Sequence, residues 1–125
     1  MRTSRATQLG GIAVLMAVVA CGGGNGGGGN GPPQIPPVTP TQDVGIINNA
    51  FNPPNAGVSA GSSVTWTWNS GGQDHNVRWA SGPTPLPMDS PTQNSGTFVQ
   101  TFNNPGMYHY VCSIHQNMEG YVTVQ

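Results

Sequence analysis

Towards the end of the chain, a cysteine, a histidine and a methionine are spaced three residues apart, as Cys112, His115 and Met118. Their side chains offer a thiolate, an imidazole and a thioether, which are soft donors for a transition metal. The segments on either side alternate between apolar and polar residues as β-strands do. The pattern therefore predicts a short metal-binding loop held between two strands.

A further imidazole is available at His75, well upstream of this loop. It would complete a plane of two nitrogens and one sulfur, with the thioether of Met118 as a weak axial ligand. Copper suits this donor set, because Cu(I) prefers soft, low-coordinate surroundings whereas Cu(II) prefers tetragonal nitrogen and oxygen ligands. We therefore predict one mononuclear copper, with four ligands: His75, Cys112, His115 and Met118.

Other readings of these residues fit less well. A lone cysteine is usually a small buried hydrophobe, and a methionine usually fills gaps in a core. A structural zinc site would use four cysteine or histidine ligands and rarely a thioether. A c-type haem needs a second cysteine, which Ser113 and Ile114 do not provide. Cysteine-hydrolase chemistry needs a base oriented by a third group, and the remaining His109 falls on the strand face opposite Cys112, so we predict no enzyme activity.

The fold is predicted from short alternating segments separated by turns. No segment after residue 20 has a helical period, whereas the connection at 51–57 is rich in turn residues and 80–95 has no assignable structure. Such a pattern is typical of an all-β, two-sheet antiparallel Greek-key β-sandwich. The predicted strands are Asp43–Asn49, Val64–Trp68, His75–Trp79, Gly96–Phe102, Tyr108–Cys112 and Gly120–Val124.

The first twenty residues have the layout of a secretory signal peptide. Arg2 and Arg5 make the start positive, and the apolar run at 9–19 is short for a membrane span. We therefore expect residues 1–20 to direct export.

The sequence Val18-Val19-Ala20-Cys21 resembles the lipobox of bacterial lipoproteins, which implies a lipid on Cys21. The alternative is ordinary cleavage after Ala20 that leaves a free thiol. Residues 21–42 are rich in glycine and proline and are predicted to form a flexible tether. Residues 43–125 then form the folded domain.

Charge excludes some partners. Beyond the predicted signal peptide, Arg78 is the sole cation, and the chain has no lysine. Nucleic acids and anionic lipid headgroups need a basic patch, so neither is an expected partner, and membrane contact is expected only through a lipid anchor. Four carboxylates face this one cation: Asp43, Asp74, Asp89 and Glu119.

His75-Asn76, followed by the segment from Tyr110 to Val124, resembles the plastocyanin/azurin-type cupredoxins, over about residues 43–125. The short Cys-x-x-His-x-x-Met spacing is most similar to amicyanins within that family. The resemblance implies that the two histidines and Cys112 bind copper in the plane and that Met118 is axial. It also implies that Asn76 supports the cysteine sulfur through hydrogen bonding.

The resemblance implies a blue (type 1) copper protein, which we expect to be monomeric. The signal-peptide layout and the lipobox place it in the periplasm or cell envelope as an expected exported protein. It would carry single electrons between transient redox partners, such as c-type cytochromes or a membrane oxidoreductase. The imidazole of His115 would lie near the surface and pass the electron. Two alternatives stay open: a periplasmic copper-binding or copper-delivery protein that uses the same ligands, and an interaction module with a vestigial metal site.

Overall fold

The computed structural model describes residues 34–125. The predicted signal peptide, Cys21 and the first part of the predicted tether lie outside the described residues. Within the described part of the chain, no helix is long and apolar enough to cross a membrane.

Nine strands in residues 34–125 form two sheets, which confirms the predicted all-β sandwich. One sheet has the strand order β1-β4-β9-β8-β6, and the other has the order β3-β2-β5-β7. The strands are β1 Thr39–Pro40, β2 Asp43–Ile47, β3 Ala50–Asn52, β4 Asn55–Val58, β5 Ser62–Trp68, β6 Arg78–Ser81, β7 Thr97–Phe102, β8 Gly106–Val111 and β9 Glu119–Val124.

The strand directions differ from the antiparallel prediction. Three pairs, β1–β4, β4–β9 and β2–β5, are parallel, so both sheets are mixed. A parallel pair needs a long crossover connection. In each of these pairs, the chain between the two strands includes at least one strand of the opposite sheet. Alternation of residues along a strand reports which face is buried, but it carries no information about the direction of the neighbouring strand.

Two short strands occupy the connection that was predicted to be irregular. Ala50–Asn52 pairs with β2, whereas Asn55–Val58 lies in the other sheet. Pro53 and Pro54 separate them at the point where the chain changes sheets. Pro54 takes part in the hydrogen bonding only through its carbonyl, which accepts the Tyr121 N–H at 2.8 Å, so the missing proline N–H interrupts no ladder. The predicted tether also ends earlier than expected, because Thr39–Pro40 already pairs with β4.

Aromatic side chains fill the space between the sheets. Val64, Trp66 and Trp68 on β5 are buried in alternation, as the sequence predicted. The ring of Trp66 meets Tyr110 edge-on at a centroid distance of 5.4 Å and Trp79 at 5.8 Å. Large rings in such edge-to-face contacts contribute more than their buried area alone. This core supports the ends of β8 and β9, from which the metal-binding loop projects.

Gly120 is required by the position of one of these rings. Tyr110 lies directly opposite it in the β8–β9 ladder, with its ring folded over the glycine backbone. A Cβ atom at this position would lie 2.5 Å from Tyr110 Cζ, closer than side-chain carbons approach. The absence of a side chain at Gly120 therefore lets the Tyr110 ring pack just behind the loop.

The segment containing His75 is the least regular part of the sandwich. The sequence predicted a strand over His75–Trp79, but β6 begins only at Arg78. His75 makes an isolated bridge to Gln93, in the segment without assignable structure. Because residues 75–77 are covered on both sides, Asn76 is buried together with His75 and Val77. The predicted alternation of buried and exposed side chains therefore fails here.

Candidate metal centre

The loop between β8 and β9 is short and closed at its base. The backbone N–H of Cys112 donates to the carbonyl of Met118 at 2.9 Å, so the first and last residues of the loop are joined. Asn117 has a left-handed backbone with φ of 60°, a conformation that asparagine tolerates better than most residues. The loop therefore has a defined turn that fixes the spacing of its side chains.

The predicted in-plane ligands converge although they come from distant parts of the chain. Cys112 Sγ lies 3.8 Å from His75 Nδ1 and 3.6 Å from His115 Nδ1. The ligand atoms of these three residues all lie within 4.8 Å of one another. The two imidazole rings face each other with centroids 4.6 Å apart. The structure therefore brings together one sulfur and two nitrogens with room for one ion between them.

These separations agree with the size of a first-row metal ion. Thiolate and imidazole bonds to zinc are about 2.3 Å and about 2.0 Å long. Arranged at about 120° around one ion, bonds of this length put sulfur and nitrogen about 3.7 Å apart. The observed 3.6 Å and 3.8 Å bracket this value, so both sulfur–nitrogen separations fit ligands of one metal ion.

Burial differs among the four predicted ligands. His75, Cys112 and Met118 are 0%, 4% and 2% exposed. His115 is partly exposed, and its neighbour Ile114 is 47% exposed. The site is therefore closed to solvent on three sides and reaches the surface through the His115 ring.

The environment of His75 favours its neutral form. Burial lowers the pKa of His75, the nearby His115 lowers it further, and the carboxylate of Asp74 partly opposes both effects. A neutral imidazole is the form that binds a metal. The surroundings of His75 therefore hold its ring ready as a ligand.

Asn76 connects the two ligand-bearing segments, but through the residue after the cysteine. Its side-chain oxygen accepts a hydrogen bond from the Ser113 N–H at 2.9 Å, and its Nδ2 donates to Ser113 Oγ at 2.9 Å. The same Nδ2 donates to Thr92 Oγ1 at 3.0 Å. The family resemblance implied that Asn76 supports the cysteine sulfur itself, whereas these contacts fix the backbone next to Cys112. Ser113 and Thr92 were missed, because an exposed hydroxyl in a loop carries no distinctive sequence signal.

His109 lies away from the site. Its Nε2 is 2.9 Å from Glu119 Oε2, and its ring stacks on Tyr121. The sequence prediction that this histidine faces away from Cys112 agrees with this placement.

Together, a β-sandwich and a buried Cys/His/His cluster define a cupredoxin. The chain belongs to the copper-binding proteins of the plastocyanin/azurin family, which match residues 41–125. Copper is accordingly the cofactor, and single-electron transfer is the class of function.

Individual relatives agree with this assignment. Amicyanin-alpha from Methylorubrum extorquens is 39% identical over 85 residues, which cover 66% of this chain and 71% of that protein. Halocyanin from Natronomonas pharaonis is 38% identical over 81 residues, covering 61% of this chain but only 48% of that protein.

Solved structures give the same picture. A purple cupredoxin from Nitrosopumilus maritimus has a TM-score of 0.60 and 27% identity, covering 68% of this chain and all of that one. An oxidised amicyanin variant has a TM-score of 0.59 and 28% identity, covering 66% of this chain and 80% of that one.

Proposed function

We propose that this protein is an exported cupredoxin that carries single electrons between redox partners through one copper ion held by His75, Cys112, His115 and Met118. The observation that carries this proposal is the convergence of the Cys112 sulfur and one ring nitrogen from each of His75 and His115 within 4.8 Å, inside a cupredoxin sandwich. Met118 is assigned as the axial ligand because it is buried at the end of the same closed loop.

Bound copper supplies the redox chemistry, by alternating between Cu(I) and Cu(II). The protein supplies a fixed set of ligands. The Cys112–Met118 backbone bond closes the loop, and Asn76 ties that loop to the segment of His75. Because these contacts hold the ligand positions in both redox states, little has to move when an electron arrives or leaves.

Electrons would enter and leave through the His115 ring, which is the ligand that reaches the surface. The adjacent Ile114 gives this surface an apolar character, and the domain carries little charge. These features support weak, transient and largely apolar docking with little electrostatic steering. Partners of this kind include c-type cytochromes and membrane oxidoreductases.

We further infer, from the sequence outside the described residues, that the protein is exported and anchored. The signal-peptide layout of residues 1–20 and the lipobox at Cys21 support a lipoprotein of the periplasm or cell envelope. The domain acts as a monomeric carrier and has no catalytic activity of its own.

The test is the visible spectrum of the folded domain with Cu(II). Residues 34–125 are prepared as the wild type, as Cys112→Ser, and as His109→Gln, which removes a histidine outside the site. We expect an intense thiolate-to-copper charge-transfer band in the wild type and in His109→Gln, and its loss in Cys112→Ser. A folded wild type without this band would contradict the proposal.

Electron self-exchange of the copper-loaded protein then distinguishes a carrier from a copper-delivery protein with the same ligands. Fast exchange is expected of the carrier. Slow exchange, with a large change in geometry between the redox states, would favour copper delivery.

A further inference from the structure

The segment from Met88 to Gln93, here called the strap, lies alongside the chain that carries His75. His75 donates its N–H to the Gln93 carbonyl at 2.9 Å, and its own carbonyl accepts the Gln93 N–H at 3.0 Å. One step further, the N–H of Ser90 donates to the Val77 carbonyl at 3.0 Å. The strap therefore takes the place of a neighbouring strand for residues 75–77, which precede β6.

The side chain of Ser90 makes the central contact of the strap. Its Oγ accepts the Val77 N–H at 2.8 Å and donates to the Pro91 carbonyl at 2.9 Å. Ser90 is 4% exposed and Val77 is fully buried. Within the described residues, the Val77 N–H has no acceptor other than the Ser90 hydroxyl, and the burial of both residues leaves little access for water.

The outer end of the strap holds the start of β6. Asp89 Oδ1 accepts the Trp79 N–H at 3.0 Å, and the Met88 carbonyl accepts the indole N–H of the same tryptophan at 2.9 Å. The backbone N–H groups of His75, Val77 and Trp79 therefore all end on the strap. Every second residue leading from the metal ligand to β6 is fixed by it.

We propose that Ser90 is a positioning residue for the metal centre. By holding Val77, its hydroxyl fixes the backbone that sets His75 Nδ1 against Cys112 Sγ, at the observed 3.8 Å. The other side-chain hydrogen bonds of the strap come from Asp89 and Thr92, which are exposed, and from Gln93, whose amide donates to the Thr97 carbonyl at 3.5 Å at the surface, so water can replace them. Water cannot take the place of the Ser90 hydroxyl in this way, because Ser90 is buried. The inference rests on the proposed function, in that it takes His75 as a copper ligand.

The test uses residues 21–125, which is the chain without its predicted signal peptide. It compares Ser90→Ala with Ser90→Thr, which keeps the hydroxyl. Ser70→Ala is the matched control, because Ser70 is 6% exposed and its hydroxyl bonds within its own turn, to the Gln73 carbonyl. In the metal-free protein, Ser90→Ala is expected to speed amide exchange of Val77 by about 5- to 150-fold, the usual range for a buried donor left unpaired. The ring resonances of His75 should shift with it.

In the copper-loaded protein, Ser90→Ala should change the nitrogen hyperfine coupling of one imidazole and the relative intensities of the charge-transfer bands. Ser90→Thr should restore the wild-type values, and Ser70→Ala should leave them unchanged. An unchanged Val77 exchange rate would overturn the proposal. So would faster exchange with unaltered His75 resonances and spectra, since Ser90 would then be merely structural.

If Ser90→Ala does not fold, Asp89→Ala provides a second variant, because it removes the acceptor of the Trp79 backbone N–H at an exposed position of the strap. It is expected to shift the His75 ring resonances in the same direction but less, and unchanged resonances would refute the role of the strap. A wild type without a thiolate band would defeat the proposed function alone. The metal-free exchange and resonance data would still decide whether Ser90 fixes the His75 ring.

Discussion

Replacement of Asn76 by alanine should weaken both the fold and the metal centre. The side chain is 1% exposed and makes close contacts with the Ser113 N–H, Ser113 Oγ and Thr92 Oγ1. At about 0.5–1.5 kcal/mol for each hydrogen bond, three lost bonds lower the free energy of unfolding by about 1.5–4.5 kcal/mol. For a domain of this size, at about 4–8 °C per kcal/mol, that loss corresponds to a fall of about 6–36 °C in the melting temperature.

The assay is thermal and denaturant unfolding of the metal-free protein, followed by tryptophan fluorescence. Asn55→Ala is a matched control, because Asn55 is equally buried and its amide bonds the Pro36 carbonyl and Thr123 Oγ1, neither of which belongs to the 112–118 loop or to the His75 segment. Both variants should be destabilised. Only Asn76→Ala should alter the charge-transfer band and the reduction potential of the copper-loaded protein.

A double-mutant cycle locates the effect. Asn76→Ala combined with Ser113→Ala should destabilise by less than the sum of the single changes, because the two residues share their hydrogen bonds. Additive losses, or copper spectra that respond equally to Asn55→Ala and Asn76→Ala, would refute the view that Asn76 joins the His75 segment to the loop.

Three further substitutions have effects that can be stated in advance. Gly120→Ala should lower the free energy of unfolding by about 1–3 kcal/mol in urea titrations, because its Cβ would meet the Tyr110 ring at 2.5 Å, and an unchanged midpoint would contradict this packing. Tyr110→Phe should be neutral or stabilising at pH 7, because the buried hydroxyl has no hydrogen-bond partner within the described residues. Burial raises the pKa of Tyr110, so above about pH 10 the unfolded chain loses the phenol proton while the folded protein keeps it. The free energy of unfolding is therefore unaffected by this group below about pH 10 and falls at higher pH, by up to about 1.4 kcal/mol per pH unit. Measured from about pH 9 to 12, the free energy of unfolding should fall less steeply in Tyr110→Phe than in the wild type. Arg78→Ala should change stability by less than about 1 kcal/mol, because its 3.1 Å ion pair with Asp89 is exposed, and a larger loss in thermal unfolding would show that the pair acts within a network.

The metal-binding loop could be predicted from the sequence because its ligands are local. Cys112, His115 and Met118 lie within seven residues, and their spacing is visible without any knowledge of the fold. His75 required a chemical argument, since only the incomplete donor set pointed to another imidazole. The buried alternation along β5 was equally visible, because each face of that strand has a single environment.

The remaining features depend on contacts between distant segments. The alternation predicted over His75–Trp79 failed because the strap covers the side of this segment that would otherwise face solvent. The strap has no period and follows a proline-rich stretch with Pro83, Pro85 and Pro87, and its hydrogen bonds use side chains such as Ser90 that resemble those of any loop. The parallel strand pairs were missed for the same reason, since a strand's own residues do not identify its neighbour.

The direction of β1 decides where the chain enters the domain. Thr39 pairs with Ala56 and runs parallel to β4, which in turn runs parallel to β9, away from the loop. Residues 34–38 therefore approach from the loop end, and the Pro36 carbonyl is already bonded to Asn55, the residue opposite Tyr121. An anchor on the preceding segment would then be attached at the end of the domain that carries His115, the residue proposed to exchange electrons. Lipidation of Cys21 would then restrict this carrier to partners lying close to the same membrane, and lengthening the segment between Cys21 and Thr39 would widen its reach.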